Sequence, residues 1–112
     1  MLIKFKSKAL EKEFCNEKTL KRRWGVEQAK LIARRLTELA AAENLETLRK
    51  LPHVRAHELS GDRAGRISLD VKQPYRLLIV PDHEETPRKE DGGLDWQKII
   101  KVKVWGVENI HG

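Results

Sequence analysis

The chain has 112 residues, with 23 Lys or Arg against 17 Asp or Glu, a formal net charge of +6, and a single cysteine, Cys15. That length suits one domain spanning residues 1–112, and the charge favours a polyanionic partner. The longest aliphatic run, Leu77 to Val80, is far short of the roughly 20 residues of a membrane-spanning helix, the alternating start is not the continuous apolar stretch of a signal peptide, and one cysteine suits a reducing cytoplasm.

In chain order, Leu2 to Lys6 alternates Ile3 and Phe5 with Lys4 and Lys6, the period of a half-buried strand. Ser7 offers an N-cap for a first helix carrying Leu10 and Phe14 on one face, interrupted at Trp24-Gly25. A second helix from about Val26 to Glu43 sets Ala29, Ile32, Ala33, Leu36, Leu39 and Ala40 inside and Lys30, Arg34, Arg35 and Glu38 outside, so the two helices form a hairpin. Asn44 can cap a further turn through Leu48, and Leu51-Pro52 ends the helical region. Short strands follow: Ala56 to Leu59, Arg66 to Val71 after the turn Gly61 to Gly65, a nearly continuous apolar Tyr75 to Val80, and a last strand alternating Ile100, Val102 and Val104 with Lys101 and Lys103. Their short connections imply antiparallel pairing. The expected fold is α+β, with an N-terminal strand and helical hairpin packed on an antiparallel sheet of about four strands.

Charge is uneven along this order. Residues 1–35 hold eleven lysines and arginines against four glutamates, a local balance of +7, whereas Asp82 to Asp95 holds six acidic residues against Arg88 and Lys89 and reads as a solvated acidic loop. Metal and nucleotide chemistry find little support. His53 and His57 are four apart, but Pro52 before them and a strand after them argue against a helical metal pair, and structural roles suit them better. Gly61 to Gly65 joins strands instead of opening a helix, so it is no phosphate-binding loop, and Cys15 beside Phe14 reads as a packed thiol. No metal and no cofactor is expected.

What remains is a basic sheet surface: Arg63 and Arg66 at one turn, Lys72 and Arg76 about another, and Lys101 and Lys103 on one side of the last strand, with His111 near the end. An antiparallel sheet can bring these groups to one face. Such a cluster suits RNA, because cleaving a phosphodiester without metal needs a base for the 2′-hydroxyl, cations for the phosphorus oxygens and an acid for the leaving 5′-oxygen.

The stretch His57-Glu58-Leu59-Ser60-Gly61-Asp62-Arg63-Ala64-Gly65-Arg66-Ile67-Ser68-Leu69, then Tyr75-Arg76-Leu77, and the end Val104 to Gly112 resemble the HigB branch of the RelE/ParE toxins. The resemblance runs in order over almost the whole chain. It implies the toxin of a type II toxin–antitoxin system, a ribosome-dependent and metal-independent endoribonuclease that cleaves mRNA, inhibits translation and growth, and is neutralised by a HigA-like helix-turn-helix antitoxin. Operator DNA would be reached only through that antitoxin. His111 matches the family's terminal histidine of the acid–base chemistry, and Arg76 the arginine that holds the scissile phosphate. Asn109 and Ile110 stand where Asp and Tyr are common, Ser60 where lysine is frequent, and Asp70 where many members have arginine. Glu108 is then the substitute base, with Arg63, Arg66, Lys72, Asn109, Lys101 and Lys103 as substrate-binding residues and Lys30, Arg34 and Arg35 as ribosome anchors. The same scaffold also hosts ParE-like gyrase poisons, and would suit a non-enzymatic RNA-binding domain.

Overall fold

Hydrophobic spacing and side-chain caps account for most elements of the computed structural model, which describes residues 1–110. Strand β1 (Leu2–Phe5) turns Ile3 and Phe5 toward the core. Ser7 starts α1 (Lys8–Phe14), its hydroxyl accepting the Leu10 N–H at 3.1 Å. The first helix expected to continue to Trp24 is two helices, because Asn16 interrupts it: Cys15 closes α1, and Asn16 Oδ1 accepts the Thr19 N–H at 3.0 Å to open α2 (Glu17–Trp24). Asparagine binds nearby backbone donors better at a helix start than inside a helix. Gly25, at φ 85°, turns the chain into α3 (Val26–Ala41), and Asn44 caps α4 (Leu45–Arg49) by accepting the Thr47 N–H at 2.9 Å. Helical turns also continue past Leu51, with Pro52–Val54 forming one 3₁₀ turn. Proline's fixed φ suits that first position.

Strands β2 (His57–Glu58), β3 (Ile67–Asp70), β4 (Tyr75–Pro81) and β5 (Lys101–Asn109) pair antiparallel in succession, as their short connections require. Strand β1 is the fifth member: the order is β1-β5-β4-β3-β2, and β1 runs parallel to β5, with Leu2 opposite Lys101 and Phe5 opposite Val104. The α+β class is as read from the sequence, but the sheet is mixed. A parallel pair needs a long crossover, and here nearly the whole chain supplies it.

The core lies between the helices and one face of the sheet. Ile32, Leu39, Leu45 and Leu48 meet Ile67, Leu69, Leu77, Ile79, Val102 and Val104 there, all fully buried. Each such side chain contributes about 1.5–3 kcal/mol relative to exposure. Gln28 on α3 ties the helical layer to the turn before β4: its Oε1 accepts the Lys72 N–H at 2.7 Å and its Nε2 donates to the Lys72 carbonyl at 3.2 Å. The segment between β4 and β5 is only partly the solvated loop expected. Leu94 and Trp96 are buried, the Arg49 guanidinium of α4 lies 4.3 Å from the Trp96 ring centroid, and the Leu45 N–H donates to the Ile99 carbonyl at 3.0 Å. Cys15, expected to be packed, is exposed at the end of α1.

Candidate functional site

The pleat sends Leu77 and Ile79 into the core and Arg76 and Leu78 to the other face of the sheet. Register then decides which side chains meet on that outer face. Asp70 stands opposite Arg76, Arg76 opposite Glu108, and Ser68 opposite His57.

Arg76 is the centre of the arrangement. It is only 4% exposed. Its Nη1 bonds Asp70 Oδ1 at 3.0 Å, and its Nη2 donates to the Arg55 carbonyl at 2.7 Å and to Ser68 Oγ at 3.1 Å. Its Nε is buried and has no hydrogen-bond partner among the described residues. Burial pulls its pKa below the ordinary arginine value; the Asp70 carboxylate opposes this, and the nearby charges of Arg55 and Arg35 add to it. The guanidinium stays protonated regardless. It lines a recess of about 450 Å³ together with Arg55, His57, Leu59, Gln73 and Ile110.

His57, which charge and resemblance did not single out, also lines this recess. Its partner Ser68 has the outward parity of the β3 strand, so the pairing of β2 with β3 carries the imidazole to the same face as Arg76. That position could have been found by extending the alternation of Arg66, Ser68 and Asp70 onto the preceding strand. His53, by contrast, bonds a carboxylate of the helical layer, with Nε2 2.5 Å from Glu38 Oε2.

The other candidates lie in several different places. Glu108 lies between two of the proposed substrate-binding cations, with Arg63 Nη2 at 3.5 Å and Arg66 Nη1 at 3.9 Å, so these three form one cluster beside Arg76. The Arg66 guanidinium also stacks 4.8 Å from the Trp105 ring centroid, as does the Lys6 ammonium. Lys101 and Lys103 occupy the same outer face, Lys103 being 3.8 Å from Asp82, but Lys103 lies five positions along β5 from Glu108. At strand spacing that is roughly 16 Å, too far to share one phosphate with Arg76.

Two residues are turned elsewhere. Lys72 reaches toward α3 and bonds Glu27 Oε2 at 2.9 Å, and Asn109 pairs in register with Tyr75, whose ring packs on Trp24 of the helical layer. Of the expected anchors, Lys30 and Arg34 are exposed on α3, but Arg35 is not on the outer surface. It is 4% exposed, with Nε donating to the Asp70 carbonyl at 2.6 Å and Nη1 to Glu38 at 2.8 Å. The cause is its helical phase: three residues after Ile32 and four before Leu39, it falls on the inward face. His111 lies outside the described residues.

Among the described residues no group of three or more His, Cys, Asp or Glu side chains is placed to hold a metal ion, and no helix is long and apolar enough to cross a membrane. No family model matches the chain, and no curated protein matches it.

Proposed function

We propose that the chain is a metal-independent endoribonuclease that cuts mRNA on the translating ribosome, acting as the toxin of a type II toxin–antitoxin pair. What supports this reading most is the recess that sets Arg76, fixed by Asp70, Ser68 and the Arg55 carbonyl, beside the exposed Arg55 and an imidazole. A guanidinium so held is preorganised for the oxygens of a phosphodiester, and needs no reorganisation as negative charge grows on them. In the reaction the ribose 2′-oxygen bonds to phosphorus while the bond from phosphorus to the 5′-oxygen breaks. One group takes the 2′-proton and another gives a proton to the departing 5′-oxygen, leaving a 2′,3′-cyclic phosphate and a 5′-hydroxyl. His57 serves one of these transfers from within the recess. The resemblance assigns the other to His111. Glu108, expected from the sequence as the substitute base, is bracketed by Arg63 and Arg66 and in this reading orients those cations toward the RNA strand, leaving the proton transfers to the histidines. Lys30 and Arg34 supply sequence-independent contacts to ribosomal RNA, and a helix-turn-helix antitoxin is the neutralising partner.

The test uses inducible expression without antitoxin, and purified protein in a reconstituted translation mixture, with new 5′-hydroxyl ends on mRNA as the readout. His57→Gln and His111→Ala should each slow cleavage by about 100-fold or more, the usual contribution of a positioned acid or base. Because His57 is exposed, its variant should keep the wild-type melting temperature. Unchanged cleavage in both variants overturns the catalytic assignment. Growth arrest with intact mRNA and stalled replication would assign the scaffold to gyrase poisoning instead.

A further inference from the structure

A second recess adjoins the Arg76 recess. That neighbour, of about 490 Å³, is lined by Arg49, Leu51, Glu58 and Trp96, and the two recesses share Arg55 and His57 as a common wall. Arg55 has an unusual backbone. Among the described residues it is the one non-glycine position with positive φ, at 48°. Such a conformation is costly for a side chain with a Cβ and persists where the surroundings impose it, often at a binding site. Here the constraints are visible: the Arg55 N–H donates to the Pro52 carbonyl at 3.3 Å, and the Arg55 carbonyl accepts Arg76 Nη2 at 2.7 Å.

The consequence is a pair of like charges lining the same recess. Arg55 is exposed and Arg76 is buried, and their repulsion contributes, after burial, to the lowering at Arg76. Asp70 neutralises one of the two. The exposed Arg55 guanidinium is left as the accessible cation for an anion in the first recess. Beyond Arg55, the second recess offers another cation, Arg49, whose guanidinium is stacked on Trp96 at 4.3 Å and paired with Glu46, with Glu58 as an acidic neighbour on its wall. A single small anion would use only one recess. A strand of linked phosphates uses both.

We infer that Arg55 is a phosphate-binding residue bridging two consecutive sites for a single-stranded RNA backbone, one phosphate lying between Arg55 and Arg76 and the next between Arg55 and Arg49. This inference rests on RNA being the substrate and adds to that reading the path of the strand, which leaves the Arg76 recess past Arg55 toward α4.

The test measures binding of a 2′-O-methyl RNA hexanucleotide, which cannot be cut, to the whole protein over a range of salt concentrations. Arg55→Gly removes the cation while glycine accepts the left-handed backbone without strain, so the fold is retained. Its affinity should fall about tenfold at low salt, the scale of a charge-assisted hydrogen bond. The slope of log K against log salt should become shallower by about 0.7 for each phosphate that is no longer neutralised. Arg55→Lys should restore most of the slope. Wild-type affinity and slope in Arg55→Gly, or no salt-dependent binding by the wild type, overturns the inference. If Arg55→Gly binds normally while the wild type cuts ribosomal mRNA, the phosphate path falls and the endoribonuclease reading stands. If Arg55→Gly binds poorly but the wild type cuts no mRNA, the reverse holds.

Discussion

Glu38, on α3, is held by two side chains, with Arg35 Nη1 at 2.8 Å and His53 Nε2 at 2.5 Å. Partial burial raises its pKa, but the hydrogen bonds from His53 and Arg35, together with their charges, outweigh this and hold the carboxyl below its ordinary 4.5. The unfolded chain therefore takes up a proton at higher pH than the folded one, so the carboxylate's contribution is complete above that ordinary value and disappears as pH falls through the folded pKa. Replacing Glu38 by Gln should cost about 1–3 kcal/mol at pH 7, as expected for losing charge-assisted hydrogen bonds. In urea unfolding followed from neutral pH to below 4.5, the two proteins should converge on acidification; a constant gap would show that the charge is not responsible. Arg35 links this group to the site, since it also holds the carbonyl of Asp70, whose carboxylate pairs with Arg76. Its inward phase was present in the spacing from Ile32 to Leu39. Assigning every charged residue to the solvent face concealed it, although an arginine bonded to the Asp70 carbonyl, Glu38 and the His53 carbonyl can be buried.

Caps decide more of the helical layer than propensity does. Ser7 and Asn44 were readable as starts because each precedes an apolar helical pattern, whereas Asn16 lies within one that runs from Leu10 to Trp24 and looks continuous. Asn16→Ala removes the acceptor for Thr19 N–H and should destabilise the protein by about 1 kcal/mol, read from the shift in the urea midpoint at unchanged m-value. A variant as stable as the wild type would mean that α1 and α2 can merge without penalty. The antiparallel strands were legible from alternation and short turns, which are local properties. The parallel partner of β1 was not, because it depends on residues about a hundred positions away.

For the whole molecule, the segment between β4 and β5 does more than its composition suggests. Acidic residues made it read as a solvated loop, but Leu94 and Trp96 anchor it to the core beside α4, and Trp96 also walls the second recess. Trp96→Ala should cost about 3–5 kcal/mol, the range for emptying a large aromatic site. It should also speed tryptic cleavage at Arg88 and Lys89, measured by the rate of appearance of the fragment; cleavage at the wild-type rate would show that the loop is held without the indole. Net charge behaved similarly as a guide. It pointed to polyanions, yet gave no sign that Arg76 is buried, that Lys72 is turned to Glu27, or that Lys103 lies far along the sheet from Glu108.

The position of β5 between β1 and β4 has a consequence for the order in which the molecule can be made. Strand β1 is synthesised first but has no sheet neighbour until residues 101–109 exist, and β4 lacks one of its two partners until then. The same late segment brings Glu108 opposite Arg76, and Ile110 to the wall of the recess. A chain still being translated through its acidic loop therefore lacks β5, and with it a closed sheet and a complete recess. Topology withholds the finished site until synthesis has passed β5.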